Sequence, residues 1–500
     1  MGCFLVKGFV IMKRIVLVCA LLLTSAHIYS LDQGPIPFDT VANSFMFPHP
    51  AIFDVAREQA MWHNFMYNKK GDMRAAMQLI PFFQKSTVSD DPINKQAGYF
   101  LPTCKSIILI AGDDAGMDLT RDVRAEWINL PSNFSGVMKV SPQQEQYGVV
   151  VELNQDVAKF TDNTFLDYFW FSFTLPVLTV KNNMNIRQGE LSNTGTSFSS
   201  PHDIVQAFNQ CEWQFAKING EMKKTGYGEF KCKLGGVLYA KDGFEIDFYE
   251  LISIPTSGKS NSEFIFSPFL GNNGHWAIGS GVNFQFPVTR FDAHTPLLVF
   301  MNIEHQFLLH QDHFRTFDLK GKPWSRYMLY NSADGSQVNV PGVNILTQYV
   351  HVKPDSFVDF EMGFRIQFHC FEAEVAYDLW AHGNERIEYK HEVCPDCEQQ
   401  VDFTKFGIAG SSAGTSASNS FINTQAPNDP SFVALRPSDL DRGSAASHAA
   451  ICNRIHGSLG WAYVGSTFAG FVNFGGYGEF SQSNAALNLW GLWGKVGASF

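Results

Sequence analysis

The sequence predicts an all-β chain: an antiparallel transmembrane β-barrel of about 16 strands (roughly 14 to 18), with long extracellular loops and a short N-terminal helical segment. Three observations lead there. The first is the stretch VDFEMGFRIQFHC, in which Val358, Phe360, Met362, Phe364, Ile366, Phe368 and Cys370 share one face. Asp359, Glu361, Gly363, Arg365, Gln367 and His369 take the other. Its thirteen residues exceed the roughly 5 to 6 of a soluble strand and cover the ~9 to 11 that a tilted strand needs to cross a bilayer. The second is composition. Hydrophobic residues make up 45% of the chain, yet beyond residue 30 no uncharged apolar run of about 18 residues would form a membrane helix. A barrel hides from hydropathy in this way because only alternate residues face lipid. The third is the sorting of connections by length, set out below.

The chain begins with an export pattern. Residues 12–30, MKRIVLVCALLLTSAHIYS, join a basic start to an apolar core at Ile15–Leu23 and small residues at Thr24, Ser25 and Ala26. Residues 1–30 therefore read as a signal peptide cleaved after Ala26 or Ser30. The formal charge is -11, and loss of Lys7, Lys13 and Arg14 with that segment makes the remainder more acidic. An acidic chain without basic clusters is a poor nucleic-acid ligand. Seven cysteines remain: Cys104, Cys211, Cys232, Cys370, Cys394, Cys397 and Cys452. An odd number in an oxidising envelope leaves a free thiol or a link between chains.

Residues 31–72 precede the first clear strand and contain a weakly amphipathic helix after Pro50, in HPAIFDVAREQAMWHNFMY. A packed N-terminal helix is the leading reading, and a periplasmic location and a plug in the barrel mouth are both open for it. The barrel is assigned to residues 73–500. Strand-like runs follow at 77–85, 100–111, 133–141, 147–154, 165–181, 211–218, 227–240, 244–254 and 264–270. Further runs occupy 276–286 and 297–309; the 358–370 strand then turns into a partner whose outward set is Phe371, Ala373, Val375, Tyr377 and Leu379. Helical periodicity is scarce, which disfavours a parallel α/β fold. No repeat of about 40 to 50 residues suggests a propeller. Counting back from a last strand that ends in the periplasm places turns near Gly465, Cys370, Asp292, Thr256 and Asp162 on that side. The long connections 182–210, 310–357 and 383–450 then fall outside, the asymmetry of outer-membrane barrels.

The final segment LWGLWGKVGASF puts Trp490, Leu492, Val496, Ala498 and Phe500 on one face. A terminal Phe behind alternating apolar residues resembles the insertion signal of Gram-negative outer-membrane β-barrel proteins. That resemblance implies porin-like architecture from about residue 73 onward, residence among outer-membrane lipid, and recognition of Phe500 by the barrel-assembly machinery. Ala498 and Gly494 stand where the pattern usually has larger side chains.

Chemistry-bearing motifs are few. Gly410–Gly414 matches G-x-S-x-G but lies in a small-residue tract, GSSAGTSASNS, and not at a strand-to-helix turn. Gly258, Lys259 and Ser260 lack the upstream glycine of a phosphate loop. Cys394 and Cys397, with His391 nearby, form half a zinc site with no second pair, so a loop disulfide or a redox-labile link ranks ahead of a metal. No enzyme, cofactor or metal is expected. The lumen-facing candidates are Glu245, Asp247, Glu304, Asp359, Glu361, Arg365, Glu372, Glu374 and Asp378, joined by Lys231, Lys233 and Lys495. Their acidic excess favours cations if the pore is open. The leading expectation is a porin-like channel for small hydrophilic solutes or ions. The alternatives are a structural or adhesive surface protein, and a dedicated transporter of hydrophobic substrates with the N-terminal segment as hatch. Partners would be lipid, the assembly machinery and other envelope chains, whether homo-oligomeric or disulfide-linked.

Overall fold

In the computed structural model, residues 42–62, 75–87, 96–102, 105–116, 121–157, 169–189, 201–218, 220–241, 243–290, 296–389, 400–409, 432–465 and 468–500 are described. The signal segment, Cys394, Cys397, His391 and the 410–414 tract lie outside them. Twelve antiparallel strands close into a cylinder. They are β1 (Ala75–Ser86), β2 (Gln143–Asp156), β3 (Phe169–Asn183), β4 (Glu229–Lys241), β5 (Phe244–Pro255) and β6 (Ala277–Arg290). The circuit continues with β7 (Pro296–Leu308), β8 (Ser356–Phe368), β9 (Phe371–His382), β10 (Ala450–Val464), β11 (Ala469–Ser481) and β12 (Leu489–Ser499). Each strand pairs with its neighbours in sequence, and β12 returns to β1, so the circuit has no open edge. A short strand at Met222–Tyr227 extends the pairing of β3 ahead of β4.

Alternation sorts the residues. On β8 Asp359, Glu361 and Arg365 are buried while Met362 and Phe364 are about half exposed, at 48% and 53%. On β10 and β11 Leu459 and Phe474 are among the most exposed apolar residues, with Arg454, His456 and Glu479 buried opposite. The cylinder is therefore polar inside and apolar outside, the arrangement that lipid stabilises and water does not. A polar row of Glu250, Ser280 and His305, paired across β5, β6 and β7, interrupts the outer wall.

The strand number corrects the expected 16. The apolar runs at 100–111, 133–141, 211–218 and 264–270 do not cross the cylinder; they lie in its connections. Residues 87–142, 184–228, 256–276, 309–355 and 383–449 all leave from one end and carry small sheets, short helices and 3-10 turns. These segments pack as a cap around Tyr99, Phe100, Trp127, Phe134, Trp213, Trp324, Tyr327 and Tyr330, a core of the ordinary water-soluble kind. Short half-buried strands in such a cap show the same alternation as barrel strands, so periodicity counts both. The other end carries the brief links 157–168, 242–243, 291–295, 369–370 and 465–468. The link near Thr256 was expected on that end and lies on the cap end, because β4 and β5 form one hairpin through Gly243, whose φ is +85°. At the β8–β9 hairpin His369 takes a φ of 56° in a two-residue turn.

Inward aromatic rings rest on inward glycines of the next strand. Tyr249 is paired with Gly281, Trp170 with Gly235, Tyr477 with Gly491, and Trp493 with Gly475. A Cβ on Gly281 would stand 2.0 Å from Tyr249 Cζ, whereas a Cβ on Gly478 would meet nothing nearer than 3.8 Å. Gly281→Ala should destabilise the barrel by roughly 1–3 kcal/mol and Gly478→Ala should not. The temperature at which each variant loses its compact gel mobility compares the two, and equal temperatures would show that the ring does not depend on the gap.

Candidate functional site

The site is the lumen and the segment that fills it. After Pro50 the chain forms only a five-residue helix, α1 (Val55–Gln59), capped by the Asp54 carboxylate, which accepts from the Arg57 amide at 2.9 Å. α1 and its flanks are buried, with Ile52 half-buried, and their partners come from strands around the circumference. His49 Nδ1 meets Glu479 Oε2 of β11 at 2.8 Å, and its ring stacks on Trp380 of β9 at 4.5 Å. The Ala51 amide donates to Gln146 of β2 at 3.0 Å, and the Val55 amide to Asp359 of β8 at 2.9 Å. Arg454 of β10 reaches Asp54 at 2.9 Å and Glu479 at 3.0 Å. Near the short-link end, Trp62 Nε1 donates to Glu152 at 3.2 Å, and the Lys495 ammonium of β12 donates to the carbonyls of Glu58 and Ala60.

The Glu58 carboxylate pairs with Lys233 and lies 3.6 Å from Lys231. Glu304 stands 3.2 Å from both lysines and accepts from the Tyr249 hydroxyl at 2.9 Å. Elsewhere on the wall Arg365 donates to Glu374 at 2.9 Å and lies 3.3 Å from Glu372, and Glu245 accepts from Gln285 at 3.0 Å. Asp378 lies 2.9 Å from His456. Asp247 is fully buried on β5. All nine acidic and basic candidates on the strands therefore lie inside the cylinder. Phe500 is 56% exposed, its backbone exchanging hydrogen bonds with Ala75. Sequence reasoning did not single out Glu152, Arg454, His456 or Glu479, nor His49, Asp54 and Glu58 of the inserted segment. The strand residues were within reach of the method: Arg454, His456 and Ser458 alternate with Asn453, Ile455 and Leu459 in ICNRIHGSLGW.

Where the inserted segment meets the cap, residues 42–47 are held by several connections at once. The Ser44 hydroxyl donates to the Thr316 carbonyl, the Phe47 amide donates to Ser447 Oγ at 2.9 Å, and the Tyr99 hydroxyl donates to the Phe45 carbonyl at 2.9 Å. Arg326 donates to the Ala42 carbonyl while pairing with Asp318 at 2.6 Å. Arg315 covers the Phe45 ring and pairs with Glu385 at 3.2 Å. Cys211, Cys232, Cys370 and Cys452 are free thiols.

No family model matches the chain, and no curated protein matches it. Solved structures that it resembles are outer-membrane β-barrels. An outer-membrane channel from Pseudomonas putida F1 is 7% identical, with 87% of this chain and 98% of that one covered and a TM-score of 0.39. The transport unit of the autotransporter AIDA-I from Escherichia coli is 6% identical over 89% and 97%, at a TM-score of 0.32. A FadL homologue from Pseudomonas aeruginosa is 8% identical over 87% and 93%, at 0.27. At this distance, function has to be read from this chain's own residues.

Removing one partner of a buried ion pair costs about 3–5 kcal/mol, because the other is left unpaired. Replacing Asp54 and Glu58 together by Ala should free the segment from Arg454 and Lys233 and raise its exposed population about 100-fold or more. Maleimide labelling of a cysteine introduced at Ala60 measures this, and an unchanged labelling rate would place the holding energy elsewhere. The cap responds to pH. His275 and His313 stack with centroids 4.8 Å apart. Burial, then Arg315, Lys259 and His310, push His275 down to about 4, and burial with Arg315 also lowers His313. Opened, both bind protons near pH ~6.5. Cap stability is therefore complete above that pH and is lost as pH falls toward 4, by roughly 3 kcal/mol for His275 alone. Limited proteolysis of the cap should accelerate across that window, and flat rates from pH 7 to 4 would contradict the assignment.

Proposed function

We propose that this chain is an outer-membrane channel closed at rest by its own N-terminal segment, conducting when residues 42–62 leave the lumen. The observation that carries the reading is that inward side chains of β1, β2, β4, β8, β10, β11 and β12 all bond to that one segment. Apart from half-buried Glu245, the interior charges named above expose less than a tenth of their surface when it is in place. An always-open diffusion pore would keep its lining charges hydrated. Vacating the lumen would expose nine buried strand carboxylates: Glu152, Asp247, Glu304, Asp359, Glu361, Glu372, Glu374, Asp378 and Glu479. Against them stand Lys231, Lys233, Arg365, Arg454 and Lys495, so the open state prefers cations.

A second reading, a static anchor displaying a folded cap, is favoured by the size of the connections at one end. Planar-bilayer recording separates the two. The wild-type chain should be nearly silent, and the Asp54→Ala, Glu58→Ala chain should conduct with cation selectivity. A Cβ on Gly460 would lie 1.8 Å from Met61 Sδ, so cysteines at these two positions should lock the loosened chain when oxidised and release it when reduced. Wild-type conductance equal to that of the loosened chain would refute the gate. Silence of a loosened, folded and unlocked chain would favour the anchor.

A further inference from the structure

We propose that the lumen wall holds a divalent transition-metal ion, of the size and preference of Zn2+, between His456, Glu361 and Glu374. The three residues stand on adjacent strands β10, β9 and β8, all buried, with one ligand atom of each inside a common 4.8 Å span. His456 Nε2 lies 3.4 Å from Glu361 Oε1 and 3.4 Å from Glu374 Oε1. Both separations are longer than a close charge-assisted hydrogen bond. An imidazolium would draw a carboxylate in to about 2.7–2.9 Å, and a neutral nitrogen would present a lone pair to two anions. Ligands each ~2.1 Å from one ion at tetrahedral angles stand roughly 3.4 Å apart.

The surroundings orient the same three atoms. Asp378 holds the opposite ring nitrogen, Nδ1, at 2.9 Å, which keeps a proton on that nitrogen and turns Nε2 toward the carboxylates. A carboxylate behind a histidine ligand is the usual outer support of a zinc site. Each glutamate is also tethered by its far oxygen: Glu361 Oε2 accepts from Asn302, and Glu374 Oε2 from Arg365 at 2.9 and 3.0 Å. The near oxygens are therefore the ones that face the imidazole, and that of Glu374 also accepts from the Ser458 hydroxyl at 3.3 Å. The ion would offset the repulsion of carboxylates crowded against one ring. It asks nothing of the gate and stands whether or not the segment leaves the lumen.

The test is to refold the full chain into detergent with Zn2+, strip loose metal by chelation and gel filtration, and count the ion by elemental analysis. About one equivalent should remain in the wild type, and His456→Gln and Glu361→Gln should each lose at least ten-fold in retention while keeping compact gel mobility. Since either variant could misfold, Co2+ is loaded into the wild type as well: visible bands of a four-coordinate site with nitrogen and oxygen ligands are expected. Less than a tenth of an equivalent in the wild type, six-coordinate Co2+ bands alone, or full retention by folded His456→Gln would each overturn the site.

Discussion

Lys231 and Lys233 stand two residues apart on β4 and point into the same interior, where both are buried. Two ammonium groups so placed need more than one counter-charge, and among the described residues the strands supply Glu304 alone within ion-pair reach. The second carboxylate is Glu58, which belongs to the inserted segment. The same holds across the cylinder, where Arg454 divides itself between Glu479 of the wall and Asp54 of the segment. The wall is thus built with a charge deficit at two places that α1 fills. Buried pairs of this kind add little net stability over an apolar filling, but the loss of one member is costly. They fix the segment's position more than they strengthen the barrel.

Closure with twelve strands leaves limited interior volume, and the chain spends much of it on aromatic rings that lie over glycines instead of pointing at the axis. Laying Tyr249, Trp170, Tyr477 and Trp493 flat against neighbouring strands keeps the centre free for a helix. It also places their polar atoms where the charged network can use them: the Tyr249 hydroxyl serves Glu304, the Tyr477 hydroxyl donates to Gln84 at 2.7 Å, and Trp493 Nε1 donates to Asn473 at 3.0 Å. The glycines are therefore part of the lumen's shape, and the wall's curvature and the room for α1 have one cause.

Much of this was legible in the sequence, for a physical reason. A strand with lipid on one side and a polar interior on the other has two unlike environments, so the faces of Val358–Phe368 and of Trp490–Phe500 separate cleanly, and the structure keeps that phase. The strand number was not legible, because the runs at 133–141 and 211–218 face a buried core and water at the cap, which sorts residues by the same rule. Nor did any local pattern disclose where the helix after Pro50 goes. VAREQ is short, and what places it is a set of contacts with Lys233, Asp359, Arg454 and Lys495, hundreds of residues away. Periodicity sees neighbours in the chain; a plug is held by residues that are neighbours only after closure.

The direction of the inserted segment constrains how it can move. Residues 42–47 are gripped in the cap by Tyr99, Thr316 and Ser447, residues 49–58 cross the charged middle, and Met61 and Trp62 sit beside Gly460 and Glu152 toward the short-link end. Tilting α1 in place cannot clear the lumen, because contacts surround it on opposite walls. Clearance requires sliding along the axis. Sliding requires one end to let go first. At the short-link end the next described element is β1, itself paired on both sides. A segment that left the lumen on the proposed gate would have to break the Arg315, Arg326 and Ser447 contacts in the cap, and the histidine pair lies beside Arg315.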